Sequence, residues 1–108
     1  MTILRVPSQR YAETPHATDL VDIVHIADAN NHSYTVPAET SFVVVAPTTP
    51  VWMRKNAAAA APAGDVTDGS GGRYIDRPTE MSVSPGNTLQ FVRATAVTVD
   101  ISIARYGT

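Results

Sequence analysis

Apolar residues in this chain recur at every second position in short runs, and Pro, Gly, Asn and Asp break one run from the next. The cleanest run is near the C-terminus. There Val97, Val99, Ile101 and Ile103 alternate with Thr98, Asp100, Ser102 and Ala104, which predicts a strand whose second face meets water or a wet interface. Residues 20–27 place Leu20, Asp22, Val24 and Ile26 on one face and Val21, Ile23, His25 and Ala27 on the other. Both faces are mostly apolar, so this strand is expected to be covered on each side. Residues 40–46 form the most apolar run and predict a central strand, followed by another at 51–55. Pro47 and Pro50 cannot donate ladder hydrogen bonds and are assigned to the link between those two.

Shorter extended segments are expected at 33–36, 73–76, 80–84 and 88–94. The cluster from Asp28 to His32 and the group Pro37, Ala38 and Glu39 read as turns. Ser84-Pro85-Gly86-Asn87 has the Pro-Gly centre of a type II turn, and Thr95-Ala96 suggests a hairpin joining the last two strands. Residues 56–72 hold five consecutive alanines, Pro62 and four glycines, and are expected to be a long surface loop. The alanine run is too short to nucleate a helix alone. The total is eight or nine short strands with no helix of two or more turns. That pattern predicts an all-β, antiparallel β-sandwich of jelly-roll type rather than βαβ units. Residues 1–19 read as a short strand and an arm, and residues 20–108 as one domain.

Composition agrees with the pattern. Val, Ile and Thr supply 32 of the 108 residues and Leu only three, a balance that suits pleated sheet. A chain of this length buries roughly two-thirds of its unfolded surface, enough for one core. The net charge is −2, and the seven Arg and one Lys form no stripe that would follow a phosphate backbone. Trp52 with Arg54 and Lys55, and Arg73 with Tyr74 and Arg77, join basic and aromatic residues, but Asp65, Asp68, Asp76, Glu80 and Asp100 blunt their field. No nucleic-acid partner is expected. Without cysteine there is no disulfide scaffold, thiolate metal site or cysteine nucleophile. No apolar run is long enough to span a membrane, and no signal-type apolar segment opens the chain.

Chemistry-bearing residues do not assemble into a recognisable motif. His16, His25, His32 and Glu39 invite a metal reading, but no two histidines are one residue apart on a strand, and ordinary strand and turn histidines explain them. The stretch from Asp65 to Gly72 lacks the ligand spacing of a calcium loop and the Lys-Ser/Thr ending of a phosphate loop, so it reads as a flexible tip. No nucleophile elbow occurs. Asp22 stands on an otherwise apolar face and is expected to find an Arg partner or lie at a sheet edge. Catalytic residues, metal ligands and cofactors are therefore all expected to be absent. The residues assigned to an interface or ligand contact are Trp52, Met53, Arg54, Tyr74 and Ile75.

From Tyr34 onward, the Tyr-Thr-Val-Pro-Ala-Glu-Thr turn, the apolar strand after it and the Trp-containing strand follow in order. An Ala/Gly-rich loop, a Ser-Pro-Gly-Asn-Thr-Leu turn and a closing Val-Thr-Val-Asp-Ile-Ser-Ile-Ala-Arg-Tyr-Gly strand complete the series. This order resembles small accessory virion proteins of tailed bacteriophages, compact sandwiches that decorate capsids or build fibre and spike modules. The resemblance implies a non-catalytic homo-oligomer, with a trimer favoured, a capsid or tail protein as a further partner, and a place in the virion or host cytoplasm. The arm at 1–19 would then reach a neighbouring subunit. The alternative is a sandwich that binds a small ligand or carbohydrate through Trp52 and Tyr74, and a small jelly-roll enzyme is third.

Overall fold

The structure, a computed structural model, describes residues 20–107. The arm assigned to 1–19 lies outside the described residues. Eight strands form two four-stranded antiparallel sheets, and no helix occurs among the described residues. They are β1 (Val21–Ile26), β2 (His32–Thr35), β3 (Phe42–Pro47), β4 (Val51–Lys55), β5 (Arg73–Ile75), β6 (Thr79–Ser82), β7 (Thr88–Arg93) and β8 (Val99–Tyr106). The first sheet runs β1-β8-β3-β6 and the second β2-β7-β4-β5. The pairing is nested: β1 with β8, β2 with β7, β3 with β6 and β4 with β5. Only β4 and β5 are consecutive strands of one sheet, and every other link crosses between sheets.

The alternating residues read from the sequence account for the core. Val43 and Val45 of β3 and Val99, Ile101 and Ile103 of β8 point inward and are fully buried. They meet Val51, Leu89, Phe91 and Ile75 from the second sheet. β-Branched side chains on two facing pleated surfaces interdigitate in this way at a spacing of about 10 Å. Val36 and Val83, just outside the strands, close the same cluster.

Local signals also hold. The Ser84–Asn87 turn closes by a hydrogen bond from the Asn87 N–H to the Ser84 carbonyl at 3.0 Å, with Gly86 at φ 89°. That positive φ is the position a type II turn reserves for glycine. β3 is interior, flanked by β8 and β6, as its apolar run requires.

Three expectations need correction. The link from β7 to β8 is not a hairpin: β7 lies between β2 and β4, and β8 between β1 and β3. Residues 94–98 therefore cross from one sheet to the other, a long-range choice that local turn chemistry does not encode. Pro47 ends β3 rather than belonging wholly to the link. It is tolerated because β3 turns its odd-numbered backbone groups toward β6, as the bond from Val83 N–H to the Ser41 carbonyl shows, and β6 does not extend far enough to oppose Pro47. Finally, β1 is an edge strand with one face open, since Val21 and Ile23 are 45% and 60% exposed.

Candidate functional site

The residues singled out as contacts share β4 and β5, and strand alternation divides them. Val51 and Met53 face inward, so Trp52 and Arg54 face outward. Across the ladder Trp52 opposes Tyr74, and Val51 opposes Ile75. Met53 and Ile75, at 6% and 1% exposure, are core residues and form no surface contact, a correction that follows from the period of two. Trp52 and Tyr74 do come together. Their ring centroids are 5.0 Å apart at 58°, and Tyr74 is half exposed.

This aromatic pair continues across the outer face of the second sheet. Trp52 opposes Val92, while Arg54 opposes Gln90, which in turn opposes Ser33 of β2. Gln90 accepts a hydrogen bond from the Asn31 amide at 2.8 Å, and the Asn31 side-chain oxygen accepts one from the Ala59 N–H at 2.8 Å. Asn31 thus ties the 56–72 loop to this sheet, and Ala59 is buried there. A Cβ at Gly72 would sit in ordinary van der Waals contact with Trp52 Cβ and the Met53 backbone. The rest of the loop, from Ala60 to Gly71, is exposed. At its tip Asp68 accepts hydrogen bonds from the Ser70 N–H and hydroxyl, which hold its carboxyl below the usual range, with Arg54 adding to the effect. The surface thus presents two aromatic rings, a guanidinium and an amide side by side.

The histidines are taken up singly by carboxylates. His25 Nδ1 lies 2.6 Å from Asp100 on the neighbouring strand, and His32 Nε2 lies 2.9 Å from Asp28. The bond from His32, with the Asn30 N–H, holds the Asp28 carboxyl below its usual range. Glu39 occupies a turn at φ 61°, and His16 lies outside the described residues. Among the described residues no group of three or more His, Asp or Glu side chains is placed to hold a metal ion.

No family model, curated protein or solved structure matches the chain.

Asp22 meets both of its expectations, because β1 is an edge strand and Arg105 Nε is 3.1 Å from its carboxylate. The contact is an ion pair by distance, without hydrogen-bond alignment at Nε. Tyr34 also donates its hydroxyl to Asp22, linking the two sheets at this end of the sandwich. Burial, and then the Asp22 carboxylate, push the Tyr34 phenol above its ordinary range. The hydroxyl holds its proton and ties β2 to β1. Tyr34 and Arg105 carried no local signal for this role, since only the nesting of β1, β2 and β8 brings them together.

The outer face of the first sheet is less polar than its sequence suggested. One row across it reads Val21, Ala104, Val44 and Glu80, and the next Ile23, Ser102 and Ala46. Phe42 and Tyr106 stack beside them with centroids 4.7 Å apart at 7°. Ser102 of β8 is thus set between Ile23 and Ala46, whereas Asp100 on the same face meets His25.

Proposed function

We propose that this protein is a non-catalytic structural module that works as a homo-oligomer, of the kind that decorates a phage capsid or builds a fibre or spike. The observation that carries this reading is an apolar strip on the outer face of the first sheet, from exposed Val21 and Ile23 through partly buried Ala104 and Val44 to the stacked Phe42 and Tyr106, bordered by Glu80 and the His25–Asp100 pair. In a free-standing sandwich that face is normally polar, and contiguous exposed apolar surface marks a protein contact. Closed homo-oligomers are the commonest way to cover such a surface. The nested strand order supports reading the sandwich as a jelly roll, an architecture used by capsid proteins and lectins alike. Light scattering coupled to size exclusion tests the proposal: a mass at a multiple of 11.5 kDa supports it, and a monomer at every concentration overturns it.

A second reading rests on the Trp52–Tyr74 pair with Arg54 and Gln90. Such a surface suits a carbohydrate ring, stacked on one aromatic face and hydrogen-bonded at its rim. A glycan array followed by titration of a Trp52→Ala variant tests it. Binding lost in that variant would favour this reading, and an array without hits would remove it.

A further inference from the structure

The geometry points to the outer edge of β1, from Val21 to His25, unpaired among the described residues, as a self-pairing site, at which two copies join antiparallel about a twofold axis into one continuous eight-stranded sheet. This rests on the homo-oligomer reading above and names a contact at the sheet edge, which joins Val21 and Ile23 of the two copies and does not cover Val44, Phe42 or Tyr106. The parity of the backbone comes first. The Arg105 N–H donates to the Leu20 carbonyl at 2.8 Å, so the even-numbered residues of β1 turn their backbone groups toward β8. The N–H and C=O groups of Val21, Ile23 and His25 therefore point away from the sheet, and their side chains lie on its outer face.

The four sheet edges are not alike. β5 is three residues long; β6 follows Pro78 and carries Glu80; β2 is four residues long with exposed Ser33 and Thr35. Short strands, proline and unpaired charge are the usual guards against edge pairing. β1 has six residues and presents Val21 and Ile23 at 45% and 60% exposure. Its Asp22 points inward but is held by Arg105 and Tyr34, and its His25 is held by Asp100, so neither leaves an uncompensated charge at the edge.

A second copy fits this edge in one register. With the twofold axis at Ile23, Ile23 faces Ile23 of the second copy, and Val21 faces its His25. All three outward residues of each strand then meet outward residues, and each free N–H finds a free C=O. The paired strip is about 20 Å long. Alone it falls short of the roughly 1,000 Å² typical of stable complexes, so the dimer should dissociate on dilution through the micromolar range.

The chain has no cysteine, so single-cysteine variants report the register directly. Bonded antiparallel partners have Cα atoms about 5.5 Å apart, within disulfide range. Ile23→Cys should therefore cross-link to a covalent dimer under mild oxidation. Val21→Cys should not, because the two Val21 positions stand four residues out of register, about 14 Å apart. Mixing Val21→Cys with His25→Cys should restore the cross-link. Ile23→Pro removes only an outward N–H and spares the β8 ladder, so it should give a folded monomer by light scattering and circular dichroism. Equal cross-linking of Ile23→Cys and Val21→Cys, a trimer, or an Ile23→Pro oligomer unchanged in mass would overturn edge pairing while leaving self-association standing. A wild-type monomer at all concentrations would overturn both.

Discussion

Replacing Tyr34 with Phe removes one hydroxyl from the strut between the sheets and leaves the ring in place. The hydroxyl donates to the Asp22 carboxylate, which also lies beside Arg105. A hydrogen bond to a charged group contributes about 1.5–3 kcal/mol when buried. Both side chains here keep some exposure, so solvent screening lowers the expected loss to about 1 kcal/mol. For a domain of this size that is a fall of about 5 °C in melting temperature.

The pH dependence has a definite sign. The phenol is raised above its ordinary range in the fold, while the unfolded chain releases that proton near pH 10. The fold therefore binds the proton more tightly, and the stabilisation present below pH 10 is lost as pH rises above it. By pH 11 the wild type should have lost about 1 kcal/mol more than Tyr34→Phe, after allowance for screening. The gap between the two proteins should then nearly close. Urea unfolding at pH 8, 9, 10 and 11 measures it, with Asp22→Asn as a second background in which the gap should be smaller throughout. Equal stability at pH 8, or a gap constant from pH 8 to 11, would refute the reasoning.

Other outcomes follow from single contacts. A Cβ at Gly107 would collide with the Glu39 carbonyl, so Gly107→Ala should cost about 1–3 kcal/mol in thermal or urea unfolding. The 56–72 loop should be cut by a protease that accepts small residues between Ala60 and Gly71, and Asn31→Ala should speed that cleavage by freeing Ala59. Trypsin should act slowly there in the native protein, because Arg54, Lys55 and Arg73 lie within paired strands.

The strands were legible because their pattern is local. Val99, Ile101 and Ile103 announce a half-buried strand whatever they pair with, and the Pro85-Gly86 centre announces its turn. Pairing was not legible, since it depends on which sheet each strand joins. That is why the link at Thr95-Ala96 looked like a hairpin and why Val21 and Ile23 looked buried. The same limit governed the contact residues. Periodicity separates Trp52 from Met53, and Tyr74 from Ile75, but only the β4–β5 register shows the two rings in contact. Asp22 was conspicuous as a charge among apolar residues. Its partners Tyr34 and Arg105 come from strands that only the nested topology brings to the same end of the sandwich.

Self-association is the claim on which the functional account stands, and the absolute mass of the wild-type protein in solution tests it most directly. Light scattering across a dilution series from hundreds of micromolar to about one micromolar should give a mass above that of one chain at the concentrated end, falling toward 11.5 kDa on dilution. A mass of 11.5 kDa at every concentration would contradict the account.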